Sequence, residues 1–246
     1  MKGELKPMSD VAEWESLDWL SEARWLLTWA SQVDLQTPIM IVIRHSHIEV
    51  SDNAQDLRTH GLTPLGHRMA LKFGERLPPG RDVRLFYSPR LRCVQTACDI
   101  AEGYQTIGGN AELISDLRPL LGPYGNGEKI REQMVEDGGP AFVAKWSEKQ
   151  VSGDIIEPIK LFRERFITEI IGRFAEAKPN DLQLHVTHDI VIMGARLALL
   201  KTQPTESNWA HFLGGFAAAV NERGCYVFEN GEARRSHELA SALASL

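Results

Sequence analysis

Residues 39–45 read IMIVIRH. Five apolar side chains in a row, with no alternation, fit a strand covered on both faces, as in a parallel sheet. The run stops at two polar residues, Arg44 and His45. The same pattern recurs twice. VRLFYS at 83–88 leads into Pro89-Arg90-Leu91-Arg92, and LQLHVT at 182–187 leads into His188-Asp189. Each run is followed by a stretch of helical periodicity: LTPLGHRMALKFGERL at 62–77, beyond a polar loop from Arg44 to His60, then residues 90–103, then DIVIMGARLALL from 189. Thr63 is placed to cap the first of these, with Pro64 at its first position. Strands alternating with helices predict a three-layer α/β/α fold with a mostly parallel central sheet. The irregular spacing argues against an eightfold barrel.

Upstream, VAEWESLDWLSEARWLLTWAS at 11–31 has Trp14, Leu17, Leu20, Leu27 and Ala30 at helical spacing. It reads as an amphipathic helix that carries four of the six tryptophans. Packing against the main domain and service as a partner or homodimer surface are both open for it. The expected division is therefore an N-terminal helical segment, 1–36, and an α/β domain, 37–246. Residues 104–140 are rich in Gly, Pro and Asn and read as loops with one short strand near Glu112–Ile114. Helices at roughly 139–150 and 158–177 follow. Strand-like runs at 216–221 and 225–229 close the chain, the second ending at the turn pair Asn230-Gly231.

The 246 residues carry a formal charge of −6 and no basic run. A polyanion held by its backbone needs a basic face, so neither nucleic acid nor an acidic membrane surface is expected as a partner. An anionic ligand should be small and met by a local cluster of arginines. The longest uncharged stretch, Trp209 to Val220, is too short for a spanning helix. Three cysteines without metal-ligand spacing, and no apolar leader near the start, give a cytoplasmic location as the default expectation.

In open α/β sheets ligands bind beyond the carboxyl ends of the strands. The three strand ends would gather arginines, two histidines and a carboxylic acid there. Such a set suits a phosphate monoester. Guanidinium groups recognise phosphate bidentately, neutral imidazole is a competent nucleophile near pH 7, and a departing alkoxide needs a proton from a positioned acid.

IVIRHSH, LTPLGHRMA, YSPRLRCVQTA and VTHD, in that order, resemble the histidine phosphatase superfamily, of phosphoglycerate mutase-like fold. LTPLGHR and HD look most like its acid phosphatase and phytase branch. The resemblance spans roughly 39–100 and 182–200 and implies a phosphatase working through a phosphohistidine. His45 would be the nucleophile, Asp189 the proton donor, and Arg44, Arg92 and His188 the phosphoryl ligands, without metal or other cofactor. The region between the second helix and the third strand, about 104–180, would form a cap that selects a small phosphorylated substrate. The sequence departs from the family at Ser46, usually glycine, and at Ile48, where the acid phosphatase branch has a further arginine. Arg58 is the candidate for that missing cation. Asp116 and Glu128 are the alternatives to Asp189, since the other branch usually takes its acid from the middle region. A mutase of the same superfamily would share His45 and the arginines. A metal-dependent hydrolase built on the His45/His47 pair would leave Arg44 and Arg92 without a role, and a non-catalytic relative that kept the pocket is the remaining alternative.

Overall fold

The computed structural model describes residues 10–49 and 59–246. Arg58, the expected third phosphate ligand, lies outside the described residues.

The apolar runs form strands β1 (Ile39–Arg44), β2 (Asp82–Tyr87) and β4 (Asp181–Thr187), and the expected short strand becomes β3 (Asn110–Asp116). The sheet order is β3-β2-β4-β1-β5-β6-β7. The first four strands run parallel. β5 (Gly215–Asn221), β6 (Gly224–Glu229) and β7 (Glu232–Arg235) join by antiparallel pairing. The architecture is the expected three-layer fold with its parallel core. β3 lies within the stretch expected as a cap insertion, yet it is an edge strand of the central sheet.

The continuous apolar character of β1 follows from having two cores to fill. Ile39, Ile41 and Ile43 join the core beneath helices α2 (Ser21–Gln32), α3 (Pro64–Glu75) and α4 (Leu91–Thr106). Met40 and Val42 join the opposite core, with Trp146, Phe162 and Met193. That second layer is built from α6 (Gly139–Ser147), α7 (Ile159–Phe166), α8 (Asp189–Ala195) and α9 (His237–Ala244), while α5 (Gly127–Asp137) precedes α6. α5 falls in the stretch expected as loops. It is polar, so periodicity does not reveal it, but Asn126 caps it by accepting from the backbone of Glu128 and Lys129.

The N-terminal helix is broken rather than continuous: α1 (Asp10–Ser16) gives way to a 3-10 turn at Asp18–Leu20 before α2. Arg24 Nη1 donates to the carbonyls of Trp14 and Leu17, satisfying acceptors that the break releases. Trp14 is buried, Trp29 stacks on Phe228 at 5.4 Å, and Trp25 is exposed.

A buried ionic network ties α2 to the far side of the sheet. Arg196, fully buried on the π-helical continuation of α8, donates to Glu22 Oε1 at 2.9 Å and to the carbonyls of Asn208 and Gly215 at 2.6 Å each. Glu22 Oε2 accepts the His211 N–H at 3.1 Å. A side chain at Gly214 would place its Cβ 2.1 Å from that same oxygen, so only glycine fits there. Glu229 Oε2 also lies 3.5 Å from Arg196 Nε but makes no hydrogen bond to it, so losing Glu22 takes away the carboxylate hydrogen-bonded to this buried charge. Glu22→Ala should therefore lower the unfolding free energy by about 3–5 kcal/mol, read as a lower denaturant midpoint at unchanged slope. A shift within experimental error would show that Glu229 suffices as the counter-ion of Arg196.

Candidate active site

The parallel register of β1 and β4 pairs Arg44 with Thr187, and the His45 N–H extends the ladder one step further onto the Thr187 carbonyl at 2.9 Å. His45 and His188 thus leave adjacent strand ends, with ring centroids 5.5 Å apart. His45 is 3 % exposed. Its Nδ1 lies 2.8 Å from the Ser46 carbonyl. A carbonyl can only accept, so Nδ1 carries the proton and Nε2 keeps its lone pair. Burial, then the charge of Arg44, His188 and Arg92, hold the imidazole well below its ordinary pKa.

Ser46 stands where the family usually has glycine, and the structure shows how it fits. Its N–H donates to Thr96 Oγ1 at 3.0 Å, and its hydroxyl donates to the Gly66 carbonyl at 2.7 Å. Gly66 is required at that contact, because a Cβ there would lie 2.2 Å from the His47 carbonyl oxygen. Thr63 caps α3 by accepting the Gly66 N–H. LTPLG thus brings the start of α3 against the segment that follows His45.

The cations are individually held. Arg44 reaches Asp189 Oδ2 at 3.1 Å and the Ala210 carbonyl at 3.0 Å, and its guanidinium lies 4.4 Å from the Phe212 ring centre. Arg44 Nε is buried with no hydrogen-bond partner among the described residues. Arg92, on the first turn of α4, donates to His188 Nδ1 at 3.2 Å. That bond makes Nδ1 an acceptor, so His188 Nε2 bears the proton and donates to Ser88 Oγ at 2.9 Å. Burial first, then Arg92, push the His188 pKa far down. Asp189 opens α8 and accepts the Ile190 N–H at 2.8 Å. Burial raises its pKa, but Arg44, that backbone bond and His188 more than offset this, leaving it below the ordinary carboxylate value. In the free protein Asp189 is a carboxylate, not an acid.

Arg44, Arg92, His188 and Asp189 line one cavity of about 680 Å³, within the usual range for small-molecule sites. His45 is not among the residues that line it. Glu128 and Ile48 also line the cavity; Asp116, an exposed residue at the end of β3, does not. His47 turns aside to Thr63 Oγ1 at 2.9 Å and packs between Trp19 and Phe212. Among the described residues no group of three or more His, Cys, Asp or Glu side chains is arranged to hold a metal ion. Nor does any described helix have the length and apolarity to cross a membrane. Sequence reasoning gave no role to Ser88, Thr96 or Phe212. Ser88 lies inside a motif it had quoted, whereas Phe212 reaches the site from 167 positions beyond His45 and leaves no local signal.

A sequence profile of the histidine phosphatase superfamily (branch 1) matches residues 40–222, and the chain belongs to that superfamily. The matched profile is that of branch 1; the likeness of LTPLGHR and HD to the acid phosphatase branch remains one of short motifs. The fold is similar to phosphoglycerate mutase from Bacillus anthracis str. Sterne, at 19% identity over 85% of this chain and 97% of that one, with a TM-score of 0.52. It is also similar to Bacillus stearothermophilus YhfR, at 17% identity over 82% and 99% of the two chains, again with a TM-score of 0.52. At these identities the likeness is one of fold. Comparison with curated proteins gives no match.

The buried histidines make stability depend on pH. His185, fully buried and stacked on Phe86, has its pKa lowered to about 3 by burial and by Arg173. The unfolded chain takes that proton near pH 6.5, the native protein only near pH 3. Between these values the unfolded state binds more protons, so stability falls as pH falls. His185→Phe should flatten the decline of unfolding free energy between pH 6.5 and 4.5 by up to about 1.4 kcal/mol per pH unit. Equal slopes in urea titrations of the two proteins would show that His185 titrates in the native state.

Proposed function

We propose that the protein is a phosphatase that hydrolyses a small phosphate monoester through a phosphohistidine on His45. The observation that carries this reading is the state of that imidazole: deprotonated at Nε2, with Nδ1 held by the Ser46 carbonyl, and flanked by the guanidinium groups of Arg44 and Arg92. A phosphoryl group placed on Arg44 and Arg92 takes those cations from Asp189 and His188, their partners in the free protein. The unpartnered Nε of Arg44 is a ready donor to a phosphoryl oxygen.

In the first step His45 Nε2 forms a bond to phosphorus while the ester P–O bond breaks, and the leaving oxygen takes a proton. In the second, water attacks phosphorus, the P–N bond breaks, inorganic phosphate leaves and the imidazole is restored. Asp189 is our choice for the acid. As a carboxylate it cannot donate, but a phosphoryl dianion both competes for Arg44 and adds negative charge beside it. Each effect raises the pKa of Asp189, so it gains its proton when substrate binds. Glu128, on the cavity wall, is the second candidate.

His45→Ala should abolish phosphate release from phenyl phosphate, and substantial residual turnover would remove His45 from the reaction. Asp189→Asn should slow an alkyl phosphate by about 10²–10⁴-fold and phenyl phosphate, with its better leaving group, far less. If Glu128→Gln shows that split instead, the acid is Glu128. Conversion of one ester into another without free phosphate would make the protein a mutase.

A further inference from the structure

The cavity holds more positive charge than one phosphoryl group answers. Five guanidinium groups line it: Arg44, Arg90, Arg92, Arg118 and Arg131. Two carboxylates oppose them, Glu128 and Asp189, and Asp189 is paired with Arg44. This concentration stands out in a chain whose formal charge is −6. A phosphate monoester carries about two negative charges at neutral pH, and Arg44 and Arg92 already meet them in the reading above.

The remaining arginines are placed in order across the sheet. Arg44 ends β1, His188 follows β4, Arg90 and Arg92 follow β2, and Arg118 follows β3, in the spatial sequence β3-β2-β4-β1. Neighbouring strands lie roughly 4.8 Å apart. The cationic lining therefore continues past the phosphoryl ligands toward β3 by about one strand spacing, or roughly 5 Å. Arg90 and Arg118 have no hydrogen-bond or ion-pair partner for their side chains among the described residues. Arg90 is near enough to Arg92 that its charge helps lower the Arg92 pKa, behind the larger effect of burial. Every cation on these walls is an arginine. That residue's planar fork suits carboxylate and phosphate alike.

We propose that the substrate carries a second anionic group, a carboxylate or another phosphate, a few atoms from the scissile ester, and that Arg90 and Arg118 bind it on the β2–β3 side of the cavity. The proposal rests on the phosphatase reading for where the first phosphoryl group sits. Its test does not depend on turnover. Three esters of one chain length serve as probes: propyl phosphate, 3-(phosphonooxy)propanoate and propane-1,3-diol bisphosphate. Their binding is measured by calorimetry in a His45→Ala background, where no phosphoenzyme forms. One or both of the doubly anionic esters should bind about ten- to a hundredfold more tightly than propyl phosphate. The tighter of the two identifies the group. Adding Arg90→Gln and Arg118→Gln should bring that ratio close to one. Ratios taken within each protein cancel any general effect on the fold. Equal binding of all three esters, or a preference that survives the double substitution, overturns the subsite. Phosphate release from phenyl phosphate by the unsubstituted protein reports the phosphatase reading separately. Selective binding without release would keep the subsite and discard the catalysis.

Discussion

The hydrogen bond from the His45 N–H to the Thr187 carbonyl carries a strand pairing one residue past the end of β1. Everything at the site depends on that extension. It fixes His45 beside His188 although 143 positions separate them, and it aligns Arg44 with Thr187 so that Arg44 and Asp189 meet across the seam. Because side chains alternate along a strand, a slip of one residue would send Arg44 and His45 to opposite faces from those they occupy. The apolar residues of β1 prevent such a slip. Ile39, Ile41 and Ile43 fill one core and Met40 and Val42 the other, so the packing on both faces sets the register that the polar residues use.

A second shell keeps the strand ends in place. The segment from Asn208 to Gly214 is held on one side by Arg44, through its bonds with Ala210, Leu213 and Gly214, and on the other by Glu22 and Arg196. Phe212, carried on that segment, packs against Arg44, His45 and His47. Trp19 backs it from the turn between α1 and α2 at 5.8 Å. The residues matched by the family profile begin at 40. Two of the side chains that support the pocket, Trp19 and Glu22, precede them, so in this protein the N-terminal helices are part of what positions the site.

The sequence was most legible where one residue type answers one local demand. Continuous apolar runs marked the core strands, Thr63-Pro64 marked the start of α3, and polar residues at three strand ends marked the cavity. Arg44, Arg92, His188 and Asp189 do converge there. Asp116, exposed at the end of β3, is not among the residues that line it, although Arg118 two positions later is. What stayed hidden depends on partners distant in the chain. Glu22 looks like any surface glutamate on an amphipathic helix until Arg196 is placed over it 174 positions later. Ser88 looks like a turn residue until His188 shows which nitrogen it receives. The polar helix α5 escaped for a different reason: it has little apolar face for periodicity to register, and its order comes from a cap and from what packs around it.

The free-state electrostatics bear on how such a site can stay both charged and idle. Guanidinium groups crowded around a buried imidazole depress its basicity, and the same crowding is an attraction for a dianion. Without ligand, that attraction is met internally: Asp189 neutralises Arg44, and His188 lends its lone pair to Arg92. Arg44, Asp189, Arg92 and His188 all line the cavity, so these are the contacts that a phosphoryl group bound there would displace. Displacement would cost one ion pair and one hydrogen bond to a neutral imidazole and would return charge-assisted contacts to phosphate for both arginines. It also frees Asp189 from Arg44, the interaction that holds its pKa down. In the phosphatase reading proposed above, a carboxylate that pairs with the cation in the empty pocket and gains a proton once the cation is taken would let a single residue serve first as counter-ion and then as acid.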